Sequence, residues 1–266
     1  MNGKILKQQK RVYKKSINFY KIIDLPSFVD STIPKEKILF DRFNKLFENA
    51  SIITLDDISY EKLTFDKEHI FASICRKSDL DILSSIKTND ISDELSDFFI
   101  ESYSYFYINF KSQSISVIKT QKIPLSDNYI TKLITFNSPL NINIIPFTAS
   151  KKQLENTYIK KIEMSFYDNN QDFIDFNKAL SESCEVVSSK ISINISPKKP
   201  NIVSDLVTKF SKHSSIKKMS ISSDIVDIDL IKNIFTKHVD INLAKDHKDD
   251  LIYIEETLKF ELLKII

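Results

Sequence analysis

The sequence predicts an α/β or α+β fold, and three patterns carry that reading. Ile191, Ile193 and Ile195 alternate with Ser192 and Asn194, the period of a half-buried strand. Ile38, Leu39, Phe43, Leu46 and Phe47 fall on one face of a helix that Pro34 opens. Tyr103–Phe110 and Ser114–Thr120 are β-rich runs joined by a short polar turn, which predicts a hairpin.

The remaining elements follow in order. Residues 1–15 read as a basic, polar arm, and Ile17 to Ile23 alternates as a strand. The run from Ile52 to Arg76 is strand-like, clearest at Ile70, Ala72 and Ile74. The acidic stretch after it ends in an amphipathic helix marked by Ile91, Leu95, Phe98 and Phe99. Ser126 can cap a helix that carries Ile130, Leu133 and Ile134 on one face, and Asn141–Phe147 is a further strand. In the C-terminal part, the strand around Tyr158–Phe166 precedes a helix spaced on Phe173, Phe176, Leu180 and Cys184. Pro197–Pro200 breaks the chain, and Val203, Leu206, Val207 and Phe210 mark the next helix. A strand at Lys218–Ser222, a helix through Ile231, Ile234 and Phe235, and a strand at Val239–Leu243 continue the alternation. Leu251, Leu258, Leu262 and Ile265 predict a closing helix. The expected organisation is an arm at 1–15, an N-terminal mixed strand/helix module at 16–148 and a C-terminal alternating strand-helix sheet domain at 149–266.

Composition excludes whole classes of chemistry. The chain of 266 residues has one glycine, Gly3. Loops that cradle phosphates, dinucleotide fingerprints and nucleophile elbows all need glycine where backbone must approach closely or turn sharply. Part of that scarcity is general, since 42 Ile and 35 Lys stand against 5 Ala, 3 Arg and no Trp, the slant of AT-rich coding. A hydrophobic content of 42% with 28% charged residues is that of a globular protein. Cys75 and Cys184 are scattered, which suits a reducing compartment, and no apolar run reaches the length of a membrane span. A cytoplasmic protein is expected.

Few residues are arranged for a reaction. His69, His213, His238 and His247 form no local metal-binding pair, so neither a metal nor another cofactor is expected. One group has the flavour of a Mg²⁺-dependent nuclease: Asp224, Asp227 and Asp229, then Asp246-His247-Lys248. There carboxylates would hold the metal and the lysine would stabilise phosphate charge, but Asp246–Asp250 reads as a polar loop rather than a strand. The chain is therefore expected not to be an enzyme. Tyr103, Tyr105 and Tyr107 form a stripe that could stack nucleobases, or belong to a strand packed on both faces.

Charge placement is more informative than the net +2. Residues 1–23 carry Lys4, Lys7, Lys10, Arg11, Lys14, Lys15 and Lys21 with no acid. Residues 79–101 are strongly acidic, and a helix over Asp90–Glu101 could dock a basic partner protein. Residues 190–218 are strongly basic, through Lys190, Lys198, Lys199, Lys209, Lys212, Lys217 and Lys218. Lys198 and Lys199 precede a helix start, where free backbone N–H groups favour anions. Lysine point charges suit phosphates, while the commonest specific base contact is an arginine fork. These seven lysines, with Arg11, Lys14 and Lys15 of the arm, are the expected nucleic-acid contacts. Binding should be largely independent of base sequence.

The order of elements resembles that of the RexA-like phage-exclusion proteins and, more distantly, of the KwaB component of Kiwa antiphage systems. The resemblance runs over about residues 50–240. It lies in a strand pair ending at Ile70–Arg76, the polar stretch Ser78–Asp97, the Tyr103–Lys119 hairpin and the Ser126–Phe136 helix. Asn143-Ile144-Ile145-Pro146 before the Ile159–Phe166 strand, Lys190–Ile195 and Pro197-Lys198-Lys199 with its following helix complete it. It implies a dimeric protein that binds double-stranded DNA without marked sequence preference and acts in phage exclusion. A second defence-system protein is a further expected partner. The chain departs from the pattern in lacking turn glycines and in placing serines at Met219–Ser223, so the resemblance assigns no site residues. The alternatives are a Mg²⁺-dependent nuclease effector and a non-enzymatic protein-interaction subunit.

Overall fold

Local alternation builds hairpins first, and hairpins build an antiparallel sheet. The computed structural model describes residues 11–23, 34–80, 100–148, 159–167, 188–194, 216–223, 227–229, 234–243 and 247–266. The chain divides into two units, residues 1–146 with 238–266 and residues 147–237.

In the first unit, β1 (Arg11–Ile23) is followed by α1 (Lys35–Leu46) and by three strands in hairpin succession. These are β2 (Ile52–Leu55), β3 (Ile58–Phe65) and β4 (His69–Arg76); the β5 (Ser104–Asn109) and β6 (Ser114–Lys119) hairpin comes next. The chain then forms α2 (Ser126–Thr135) and β7 (Asn143–Pro146), and closes with α3 (His247–Leu263). Strand order is β2-β3-β4-β5-β6-β1, and β7 also pairs with β1. The ladders that join these strands are antiparallel, which makes the fold α+β. β1 thus takes its place beside β6, with Ser16 opposite Lys119 and Lys21 opposite Ser114. Residues 11–15, expected in an arm, are the start of β1 instead.

With almost no glycine, the turns use other residues in the left-handed region. Asp56 (φ 56°) lies in the two-residue turn between β2 and β3, and Gln113 (φ 54°) lies in the β5–β6 turn. Asn137 (φ 49°) follows α2. Asp and Asn tolerate this conformation because their short polar side chains bond locally. The β3–β4 turn uses a different device: Asp66 accepts the N–H groups of Glu68 at 2.7 Å and His69 at 2.9 Å.

Period-2 alternation gives this sheet two buried faces. On one, Tyr60, Ile70, Ala72, Ile74, Phe106, Ile108, Ile115 and Val117 pack under α1 and α2, which contribute Leu39, Phe43, Ile130, Leu133 and Ile134. Phe43 stacks on Phe110 with centroids 5.8 Å apart, and each such buried ring contributes about 1.5–3 kcal/mol. Arg42 is buried on the same side and donates to the carbonyls of Ile134 (2.6 Å), Leu133 (3.3 Å) and Phe136, the last turn of α2. Ser126 does not cap α2: Leu125 holds the cap position, and Ser126 is the first helical residue and is buried.

The second face lies under α3. Ile254, Leu258 and Leu262 are buried, and the Ser116 hydroxyl donates to the Leu258 carbonyl at 3.0 Å. Glu255 Oε1 accepts the Thr64 hydroxyl at 2.7 Å and sits 2.9 Å from His69 Nε2, fastening α3 to β3 and β4. Tyr103, Tyr105 and Tyr107 lie on this face, each at most 2% exposed. The stripe therefore belongs to a strand packed on both faces and presents no ring for stacking a base. Burial pushes all three phenols up, Tyr107 to about 12, and holds the Cys75 thiol at about 11.

Glu61 stands opposite Ser73 in the same layer, and burial raises its carboxyl above 4.5, partly opposed by the Ser73 hydroxyl. A raised carboxyl favours the protonated fold. Its penalty is absent below the unfolded pKa and complete once pH exceeds the folded value. Glu61→Gln should therefore raise the urea midpoint at neutral pH while leaving it nearly unchanged below about pH 4, under the unfolded carboxyl's pKa. A lower midpoint at neutral pH would show that the ionised carboxylate stabilises this layer.

In the second unit, β8 (Ile159–Tyr167), β9 (Ser188–Asn194), β10 (Ile216–Ser223) and β11 (Asp227–Asp229) join the start of β12 (Ile234–Leu243). The order is β12-β11-β10-β8-β9, with antiparallel pairing. Ile234 and Phe235, expected in a helix, are strand residues: Phe235 and Ile241 are buried at even spacing along β12. The helices expected around Ile91–Phe99, Phe173–Cys184 and Val203–Phe210 lie outside the described residues. From His238 onward the chain belongs to the first unit, so α3 is not part of a C-terminal domain. Among the described residues no helix is long and apolar enough to cross a membrane.

Candidate anion-binding cleft

Antiparallel pairing decides which chain ends meet. Because β1 runs against β6, the start of β1 lies beside the end of β6. Because β5 also runs against β6, the segment entering β5 reaches the same edge. There a cleft of about 690 Å³ is lined by Lys14, Lys15, Ser16, Glu101, Lys119, Thr120, Gln121, Lys122 and Pro124. Four lysines and one glutamate leave it with a net charge of +3.

Each lysine is held differently. Lys14 and Lys119 are exposed. Lys15 is half-buried, and burial lowers its ammonium below the ordinary value, with the Glu101 carboxylate opposing. Lys122 donates to the Ser102 hydroxyl at 2.8 Å and lies 3.7 Å from Asp79 Oδ1. The turn carrying Lys122 is pinned by Ile123, fully buried, whose N–H donates to Thr120 Oγ1 at 3.3 Å. Two exposed ammonium groups, one half-buried and one held by Ser102 and Asp79 can together receive a phosphate oxygen or a run of them, since ammonium groups impose little directional demand.

Of the residues expected to contact nucleic acid, Lys14 and Lys15 come together here, and Arg11 lies on the same strand. Lys119 and Lys122 were not among them. They are separated from β1 by about a hundred residues, and the antiparallel β1–β6 ladder, with Ser16 opposite Lys119, brings the end of β6 beside it. In the second unit, Lys190 on β9 and Lys218 on β10 both take the register position opposite Ser165 of β8, which runs between them. Lys217 precedes Lys218 on β10. Lys198, Lys199, Lys209 and Lys212 lie outside the described residues.

The described members of the nuclease-like group fall on two kinds of element. Asp227 and Asp229 are in β11, while His247, Lys248 and Asp250 begin α3 instead of forming a loop. Asp224 and Asp246 lie outside the described residues. Among the described residues, no group of three or more His, Cys, Asp or Glu side chains is placed to hold a metal ion. Compared with known proteins, this sequence matches no protein-family model and no curated protein.

Proposed function

We propose that this chain binds double-stranded DNA without marked sequence preference, as a non-enzymatic component of phage defence or exclusion. The observation that carries the binding is the convergence of Lys14, Lys15, Lys119 and Lys122 on one cleft whose lining holds one carboxylate, Glu101, with Asp79 paired to Lys122. The basic run from Lys190 to Lys218 supplies further phosphate contacts in this reading. Weak base discrimination follows from the arginines: the chain has Arg11, Arg42 and Arg76, and Arg42 is committed to the carbonyls of α2. The defence setting rests on the resemblance of the element order to the RexA-like proteins.

Fluorescence anisotropy on several unrelated duplexes across a salt series tests the reading. If about six lysines neutralise phosphates, log affinity should fall with log salt at a slope near −5, with dissociation constants within about threefold of one another. Absence of binding at low salt would overturn the proposal, and a strong preference for one duplex would overturn its indifference to sequence. Supercoiled plasmid incubated with the protein in Mg²⁺ or Mn²⁺ should remain intact. Cleavage lost on Asp229→Ala would make the chain a nuclease.

A further inference from the structure

The lysines of the cleft do not lie on one face of the sheet. Lys14 and Lys15 are successive residues of β1, so their side chains leave opposite faces, yet both line the cleft. Lys119 stands opposite Ser16 and so shares the face of Lys14. Cations that contact the flank of a duplex, which is a convex rod, share one exposed face. Cations on both sides of a cleft surround what enters it, and a volume of about 690 Å³ is that of a small-ligand site. The part of a DNA strand that can enter such a space is its end.

Charge points the same way. Lys15 is half-buried, so its ammonium has lost part of its water and gains most from a ligand of high charge density. Lys122 is held in place by the Ser102 hydroxyl and by Asp79. Counting Asp79 with Glu101, the described groups here are four ammoniums against two carboxylates, a surplus of two positive charges. A phosphodiester within a strand carries one negative charge. A terminal phosphate carries about 1.5 to 2 near pH 7 and so nearly balances the surplus in the space of a single group.

We propose that the cleft is an end-binding site, which takes the terminal phosphate of a DNA strand between Lys15 and Lys122 while the exposed Lys14 and Lys119 contact the adjoining backbone. The inference rests on the DNA-binding reading of the same cleft, and adds which part of the nucleic acid enters it.

Fluorescence anisotropy tests it with one internally labelled duplex of fixed sequence, prepared with 5′-phosphate, 3′-phosphate or hydroxyl ends, and as a dumbbell closed by a hairpin at each end. Wild-type protein should bind a phosphate-ended form about tenfold more tightly than the hydroxyl form, the scale of one added charge-assisted contact. The two phosphate arms show which strand end enters, and the dumbbell should bind no more tightly than the hydroxyl form. Lys15→Met keeps the apolar stem and should bring the phosphate-to-hydroxyl ratio to within about twofold of unity. The double reversal Lys21→Glu/Lys111→Glu, away from the cleft, should keep the wild-type ratio. Equal affinity of wild type for all four forms overturns the inference and leaves the DNA-binding reading standing. A preference that survives Lys15→Met, or one lost equally on reversing Lys21 and Lys111, overturns it too, because the phosphate is then read elsewhere or only as added charge. Absence of binding to every form at low salt overturns the DNA-binding reading and this inference together.

Discussion

Reversing Lys14 and Lys119 to glutamate is expected to weaken binding to duplex DNA about 100-fold near 0.1 M salt, and to flatten the salt slope from near −5 to near −3. Each lysine that releases a condensed counterion contributes about 0.9 to the slope, so losing two removes about 1.8. At about 0.1 M salt that loss alone is roughly 60-fold, and repulsion by the new carboxylates increases it. Both side chains are exposed, so the fold should be retained. Lys21 and Lys111 make the control. Both are exposed, Lys21 lies at the other end of the β1–β6 pair, and Lys111 lies in the turn next to it. Their double reversal changes net charge by the same amount. Equal losses from the two pairs would mean that binding follows net charge and that the cleft is not the contact surface. An undiminished affinity on reversing Lys14 and Lys119 would remove the cleft from the interface altogether.

Replacing Arg42 by alanine is expected to destabilise the protein by about 3 kcal/mol, through three carbonyls left without their donor. The guanidinium is buried and bonds the Leu133, Ile134 and Phe136 carbonyls, which as the end of a helix have no intrahelical partner. Burial lowers its pKa but leaves it charged, and hydrogen bonds from a charged donor are worth about 1.5–3 kcal/mol each before desolvation is counted. For a protein of this size the loss corresponds to a melting point lower by roughly 6–12 °C. Arg42→Lys should recover little, because one ammonium cannot reproduce a planar fork reaching three acceptors. A melting point within about 1 °C of wild type for Arg42→Ala would show that α2 is held by its apolar face alone.

Arg42 also shows where reading the sequence stops. Its neighbours Leu39 and Phe43 were legible as the buried face of a helix, because a period of 3.6 is written into consecutive residues. An arginine within that face carries no local sign of its partners, which lie more than ninety residues away. The same division runs through the site. Basic residues at 14 and 15 were evident, yet their meeting with Lys119 and Lys122 required β1 to pair with β6 rather than with any sequence neighbour. For β12, Ile231, Ile234 and Phe235 offered helical spacing over too short a span to decide. The sheet settled it through the pairing of Asp227–Asp229 with Ile234–Thr236.

Sequence by itself determined the class and position of most described elements: the β2–β4 strands, the β5–β6 hairpin, α1, α2, β7 to β10 and the closing helix. These follow from hydrophobic period, turn chemistry and breakers, all of which act between residues close in the chain. It also determined that glycine-dependent phosphate loops are absent, since that is a matter of inventory. Tertiary structure alone decided that the tyrosine stripe is buried, because alternation marks two faces of a strand but not what covers each; α3 covers this one. It alone decided that residues 238–266 return to the first unit, and that four lysines from opposite ends of a domain share a cleft. Strand pairing across a hundred residues is set by how two apolar faces can be buried at once, a condition no local segment carries.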